Sequence, residues 1–131
     1  MAVELMIGLE GEANATVTEN LTAIAMRSGD VPVLATPALT ALMEEAAVAA
    51  LNAHLDNAST SVGVRIDVRH LAASPVGTQV YTYARLVNVE GKRLTFRVSA
   101  YEEPSRAGEA LGEGTHERVI VNREKFLART R

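Results

Sequence analysis

The stretch TPALTALMEEAAVAALNAHL, residues 36–55, decides the fold because it reads as one long apolar helix. Thr36 is a residue type that caps helices, and Pro37 suits the first helical position, where the N–H has no intrahelical partner. From residue 38 onward nearly every position is Ala, Leu, Met or Val, so apolar side chains occur on almost all helix faces. A helix of this composition is buried in a soluble protein, and we expect the rest of the chain to be arranged around it.

Two adjacent carboxylates, Glu44 and Glu45, interrupt this helix. At about 100° per residue, Glu45 falls on a stripe that becomes polar, so we expect it to face water. Glu44 falls among apolar positions, where a charge is costly unless it is paired or hydrogen-bonded. Two interpretations of Glu44 stay open: a functional carboxylate in a pocket, or a structural ion pair with an arginine of a strand.

Composition restricts both the size of the protein and the class of its partners. The 131 residues fit one domain, residues 1–131, which is long enough to bury a substantial core. The net charge of −3, with acidic and basic residues interspersed, gives no basic surface for nucleic acid. Cysteine is absent, which excludes disulfides, thiolate metal sites and cysteine nucleophiles. No run resembles a membrane span or a secretory leader, so we expect a soluble cytoplasmic protein.

Four runs after the helix have strand character. In residues 61–71, Val62, Val64, Ile66 and Val68 alternate with polar or small residues, which predicts a strand with one core face. Residues 78–89 and 93–101 are rich in β-branched and aromatic residues, and the Gly91 turn between them predicts a hairpin. Residues 109–121 form the last run. The spacing predicts a four-stranded meander, and with the helix an α+β fold.

The two ends of the chain carry weaker signals. Residues 3–19 predict one or two weak strands, and residues 18–27 a short helix or a strand end. Residues 122–131 predict a short amphipathic helix with Phe126 and Leu127 packing inward.

Several stretches, in this order, resemble the fluoroacetyl-CoA thioesterase family of hotdog-fold enzymes. They are ATPALTALMEEA, GVRIDVRHLAASPVG, the hairpin NVEGKRLTFRVSA, and GEGTHERVIVNREKF, and together they extend over residues 34–126. The resemblance implies a hotdog fold, in which an antiparallel β-sheet wraps around one long central helix. It also implies an acyl-CoA thioesterase.

The resemblance places three catalytic roles on Thr36, Glu44 and His70. Thioester hydrolysis needs a nucleophile at the carbonyl carbon and donors that stabilise the oxyanion. Glu44 can act as base or nucleophile, and His70 can protonate the leaving thiolate or stabilise the oxyanion. Thr36 can orient Glu44 or the attacking water. Direct attack by water and an acyl-enzyme on Glu44 both stay open.

The resemblance also implies the substrate site. Gly63 matches a glycine whose backbone helps to orient the thioester, and Arg118 matches an arginine near the pocket. Val31, Val33 and Leu34, in the loop before the helix, are expected to set the size of the acyl group. The site is expected at the interface of a homodimer, with an acyl-CoA substrate and no separate cofactor, because coenzyme A is part of the substrate.

One departure from the family concerns the loop before the helix. Fluoroacetate-selective members carry phenylalanines there, whereas residues 27–35 contain no aromatic residue. We therefore expect a different short or medium acyl group. Two other functions stay open: a hotdog hydratase or dehydratase acting on an acyl thioester, and a non-catalytic acyl-CoA-binding dimer.

Each candidate also has an ordinary structural interpretation. A Thr at a helix start is usually only a cap, and a glycine inside a strand usually marks a bulge or a close backbone approach. His116 shares a strand face with Arg118, but the pattern gives it no role. Three scattered histidines without ligand spacing predict no metal site.

Overall fold

In the computed structural model, which describes residues 5–130, the long helix is α2, Thr36–Leu51. Ala35 is its N-cap residue and Thr36 its first helical residue, so the expectation that Thr36 caps the helix is wrong. The hydroxyl of Thr36 bonds to His70 instead. The helix ends four residues earlier than predicted, because the more polar residues 52–54 form a turn in which the N–H of His54 bonds to the carbonyl of Leu51.

Five antiparallel strands form one sheet in the order β1-β3-β4-β5-β2. The predicted hairpin is present between β3 and β4, and β3, β4 and β5 form a meander. The strand predicted within residues 61–71 is β2, and it lies outside that meander. It pairs with β5 at one edge of the sheet, and β1 pairs with β3 at the other edge. The strands are β1 (Glu10–Thr16), β2 (Ser59–His70), β3 (Gln79–Glu90), β4 (Arg93–Tyr101) and β5 (Gly112–Asn122).

The connection after β2 explains why the predicted four-stranded meander is wrong. The carbonyl of Ser74 accepts a hydrogen bond from the N–H of Leu34, and the N–H of Gly77 donates to the carbonyl of Val17. These bonds attach the segment to the loop before α2 and to the residue after β1. The chain therefore crosses the end of the sheet and does not turn back beside β2.

The sheet wraps around α2, so the expected α+β arrangement is confirmed. The hydroxyl of the buried Thr82 donates to the carbonyls of Ala13 and Leu42, which joins β3 to both β1 and the helix. A Cβ atom on Gly11 would lie 2.3 Å from the carbonyl oxygen of Ala46, so β1 packs on the helix backbone to backbone. The core is filled mainly by alanines of α2 and by Leu39, Met43, Leu86, Leu94, Phe96 and Val98.

A bulge in β2 breaks the predicted alternation. The register with β5 shifts between Gly63 and Arg65, so the side chain of Val64 is 49% exposed and does not join the core face. The bulge leaves Gly63 opposite Arg118 on the inner face of the sheet and puts Ile66 back on that face, opposite the buried His116.

Short helices occupy the ends of the chain. A 3₁₀ turn, Glu19–Leu21, and α1, Ala23–Met26, precede the helix, and α3, Arg123–Ala128, follows β5. The side chains of Phe126 and Leu127 are 37% and 57% exposed, so the expected inward packing is wrong. α3 starts directly at the end of β5, and none of its residues is buried in the single chain. Residues 1–4 and 131 lie outside the described residues. None of the helices within residues 5–130 has the length and apolar character needed to span a lipid bilayer.

Candidate functional site

The carboxylate of Glu44 faces the inner side of the sheet at β2 and β5. Its Oε2 atom lies 3.6 Å from Nε2 of His116 and 3.7 Å from Nη1 of Arg118. These distances are those of a loose ion pair and exceed hydrogen-bonding distance. The Glu44 side chain is 41% exposed. The carboxylate is therefore placed next to a positive charge and still has its oxygens available to a ligand.

Arg118 is a buried cation that its neighbours hold in one position. The side chain is 8% exposed, Nε donates to Oγ of Ser61 at 2.8 Å, and Nη2 donates to the carbonyl of Ser61 at 3.0 Å. Burial lowers the pKa of Arg118, and the charge of Glu44 opposes this effect. Because burying a charge is costly, the carboxylate of Glu44 also compensates Arg118.

His116 completes this group, and its protonation follows from its contacts. Nδ1 lies 2.8 Å from the carbonyl oxygen of Arg65, so Nδ1 carries the proton and donates. Burial, followed by the charge of Arg118, lowers the pKa of His116 and favours the neutral ring. Nε2 then accepts from Nη1 of Arg118 at 3.1 Å. Sequence patterns alone assign His116 no role, although its position two residues before Arg118 places both side chains on one face of the strand.

Gly63 provides the space for this group. A Cβ atom at this position would lie 2.6 Å from Oε2 of Glu44, 3.2 Å from Cε1 of His116 and 3.3 Å from Nη1 of Arg118. The first of these distances is shorter than any ordinary contact. A glycine is therefore needed for the observed position of the Glu44 carboxylate.

Thr36 and His70 form a second group at the N-terminal end of the helix. Oγ1 of Thr36 lies 2.8 Å from Nδ1 of His70, across 34 residues of sequence. Burial lowers the pKa of His70, which favours the neutral ring. Its Nε2 atom is buried and has no hydrogen-bond partner among residues 5–130. One ring nitrogen is thus engaged by the hydroxyl, and the ring also interacts with the backbone of Ala72.

A cavity of about 330 Å³ adjoins this pair. Val33, Leu34, Thr36 and His70 all contribute to its wall, together with other residues of the loop before α2 and of the segment after β2. The three residues expected to set the size of the acyl group, Val31 included, therefore line the same cavity as two of the expected catalytic residues.

The single chain does not bring all the expected site residues together. Thr36, His70, Val33 and Leu34 form one group, and Glu44, Gly63 and Arg118 form the other. Glu44 follows Thr36 by eight residues (44 − 36), which is about 12 Å along the helix axis. Among residues 5–130, no three His, Asp or Glu side chains are grouped so that they could hold a metal ion.

Comparisons with known proteins agree with this fold. The sequence matches the family described as fluoroacetyl-CoA-specific thioesterase, FlK, over residues 17–124. It is 42% identical to the fluoroacetyl-CoA thioesterase of Streptantibioticus cattleyicolor over 99 residues, which are 76% of this chain and 68% of that protein.

Solved structures extend the likeness to nearly the whole chain. A variant of FlK in complex with acetyl-CoA superposes with a TM-score of 0.86 at 33% identity, covering 95% of this chain and 96% of that one. A Thermus thermophilus protein described as a thioesterase superfamily member superposes with a TM-score of 0.85 at 31% identity, covering 95% and 90%. The chain therefore belongs to the fluoroacetyl-CoA-specific thioesterase family, a family of thioester hydrolases with the hotdog fold.

Proposed function

We propose that this protein hydrolyses the thioester of an acyl-CoA with a short or medium acyl group. The observation that carries the proposal is the carboxylate of Glu44, which is held beside a buried arginine but has no hydrogen bond within the described part of the chain. Such a carboxylate can take a proton from water or attack the thioester carbonyl itself. The likeness to a thioesterase structure that contains acetyl-CoA supports an acyl-CoA substrate.

Thr36 and His70 assist in this proposal. The neutral imidazole of His70 accepts a hydrogen bond from the Thr36 hydroxyl at Nδ1, and the opposite ring nitrogen then carries the ring proton. That N–H can donate a hydrogen bond to the oxyanion or to the sulfur of the leaving thiolate. When water is the nucleophile, the proton that Glu44 takes from it is the one that the thiolate receives when the C–S bond breaks. Attack by water and an acyl-enzyme on Glu44 both satisfy this arrangement.

We propose that the functional unit is a homodimer, because it unites the two groups of residues. β2 is an edge strand of twelve residues with one side unpaired in the single chain. An edge of this length is a template for pairing with another chain. Gly63 and His70 are equally far from the point between Ile66 and Asp67, which lies two residues beyond the middle of the strand. Two copies of β2 pairing antiparallel around a two-fold axis at this point place Gly63 of each copy near His70 of the other.

This assembly defines the substrate site. Glu44, Gly63 and Arg118 of one protomer face Thr36 and His70 of the second, where the thioester lies. Gly63 allows its backbone to approach the thioester, and Arg118 contributes positive charge beside it. Val33 and Leu34 contact the acyl group. The reaction uses no separate cofactor, because coenzyme A enters as part of the substrate.

Thiol release from a panel of acyl-CoA esters tests the function. The wild type should release thiol, and Glu44→Gln should reduce kcat/KM by at least about 10²-fold. Glu90→Gln, the same substitution at an exposed position on β3, serves as the control and should leave the rate unchanged.

Other results would replace this proposal. Hydrolysis that does not depend on Glu44 contradicts the mechanism. Ester binding without thiol release by the folded protein would support a binding protein, and conversion of an enoyl-CoA to its hydroxyacyl product would support a hydratase. All these outcomes can be read from one set of purified proteins.

A further inference from the structure

A second cavity lies on the other side of Leu34 from the Thr36–His70 pair. It has a volume of about 260 Å³, opens to the surface, and is lined by residues of α2, the ends of β1 and β3, the 3₁₀ turn and α1. The side chain of Leu34 is 4% exposed and contributes to the walls of both cavities. Leu34 is therefore the partition between the proposed reaction site and this second space.

The backbone on each side of the partition is fixed. The N–H of Leu34 bonds to the carbonyl of Ser74 at 2.8 Å, and the N–H of Ala35 bonds to the carbonyl of Leu21 at 2.9 Å. The carbonyl of Val33 accepts from the N–H of Ala23 at 2.8 Å. Because these bonds hold the backbone of residues 33–35, a rotation of the Leu34 side chain is the change that would connect the two cavities without a movement of the loop.

The size and the chemistry of the second cavity define an occupant. An apolar cavity of about 150 Å³ holds a benzene molecule, so this one has room for at least six carbon atoms. Its wall is apolar apart from Thr16 and Glu45, which are exposed at its rim. Such a wall offers no partner to a polar group, and the charge of Glu45 disfavours a carboxylate at the outer end.

We propose that the acyl group of the substrate passes Leu34 and ends in this second cavity. The preferred substrates are then apolar acyl groups of about eight carbon atoms, counting those that lie between the thioester and the partition. This inference rests on the proposed thioesterase function and makes it specific. It also gives Leu34 the role of a specificity-determining residue.

The test is the dependence of kcat/KM on chain length for acetyl-, hexanoyl-, octanoyl- and adipoyl-CoA. Each methylene group that becomes buried is worth about fourfold in kcat/KM, so octanoyl-CoA should exceed acetyl-CoA by at least about tenfold. Adipoyl-CoA has the same number of acyl carbons as hexanoyl-CoA but ends in a carboxylate. It should react at least about tenfold more slowly than hexanoyl-CoA.

Two substitutions on one helix identify the cavity. Ala41 lines the second cavity and Ala49, eight residues later, lines none of the cavities described; both are exposed on α2. Ala41→Leu should reduce the octanoyl-to-acetyl ratio of kcat/KM by at least about tenfold. Ala49→Leu makes the same change outside the cavity and should leave the ratio unaltered. Met26→Trp narrows the cavity from α1 and should repeat the effect of Ala41→Leu.

The outcomes separate this inference from the function on which it rests. An acetyl-CoA rate equal to or above that of octanoyl-CoA overturns the inference and leaves a thioesterase. The same holds if neither Ala41→Leu nor Met26→Trp changes the ratio, or if adipoyl-CoA matches hexanoyl-CoA. Absence of hydrolysis with every ester overturns the proposed function itself.

Discussion

The backbone of Gly63 and the carboxylate of Glu44 lie so close that no side chain fits between them, since a Cβ atom on Gly63 would be 2.6 Å from Oε2. Gly63→Ala should therefore displace the carboxylate. The end of a glutamate moves easily, so we expect little loss of stability but a fall in kcat/KM of at least about tenfold. Thiol release and urea unfolding of the same preparation measure the two effects.

A double variant shows whether Gly63 acts through Glu44. If it does, Gly63→Ala should have almost no further effect on the residual activity of Glu44→Gln, because interacting residues are non-additive. An undiminished effect in that background would mean that the added methyl group obstructs the substrate directly.

Mixed dimers should regain activity that each variant alone has lost. In a mixture of Glu44→Gln and His70→Gln chains, half of the dimers are mixed, and each mixed dimer has one intact site if the site spans the interface. The recovered activity should approach about a quarter of the wild type after subunit exchange. Thiol release before and after exchange gives the measurement, with sedimentation as the check on assembly. Recovery should fail if each site belongs to one chain.

The hydroxyl of Thr36 should matter more for catalysis than for folding. Thr36→Val removes the 2.8 Å hydrogen bond to His70 and should lower kcat/KM by about 10²-fold. The same change should cost about 1 kcal/mol of unfolding free energy, the usual worth of one hydrogen bond. Thr36→Ser retains the hydroxyl and should keep most of the activity. Equal losses in both variants would contradict a role for the hydroxyl.

Acid should destabilise the fold through His116. Burial lowers the pKa of His116 below its ordinary value of 6.5, so the unfolded chain binds a proton that the folded chain does not. Stability should therefore fall as the pH drops below about 6.5 and should level off below the folded-state pKa. Unfolding in urea across this range measures the slope.

His116→Asn is the variant for this pH dependence, because its amide can still donate to the carbonyl of Arg65 but does not titrate. The slope below pH 6.5 should become shallower. It should not vanish, since burial also lowers the pKa of His70 and that residue remains. If the stability of the variant fell with pH as steeply as that of the wild type, groups other than His116 would cause the sensitivity to acid.

Much of the fold follows from local sequence patterns. The apolar run of α2 identifies the buried helix, and Gly91 identifies the hairpin between β3 and β4, because both signals depend on neighbouring residues alone. The position of β2 does not follow, because strand spacing says nothing about which edge a strand joins. The bulge at Val64 is not predicted for a similar reason, since it is defined only by the register in which β2 pairs with β5.

The candidate site is likewise predicted only in part by the sequence. Family motifs select Glu44 and His70, but the pattern of one chain does not show that they lie in separate groups. The role of His116 is not predicted, because a lone histidine on a strand has many ordinary explanations. Its importance comes from the carbonyl of Arg65, which lies near it only through the pairing of β2 with β5.

The edge strand β2 has a consequence for engineering. No residue of β2 is fully buried in the described chain, unlike the other four strands. A designer who chose mutable positions by exposure would begin there. Yet this strand carries Gly63, His70 and the pairing edge of the proposed dimer. A library of random substitutions should find β2 less tolerant than its lack of buried residues suggests, and solvent exposure in an isolated chain should mislead any choice of positions for change.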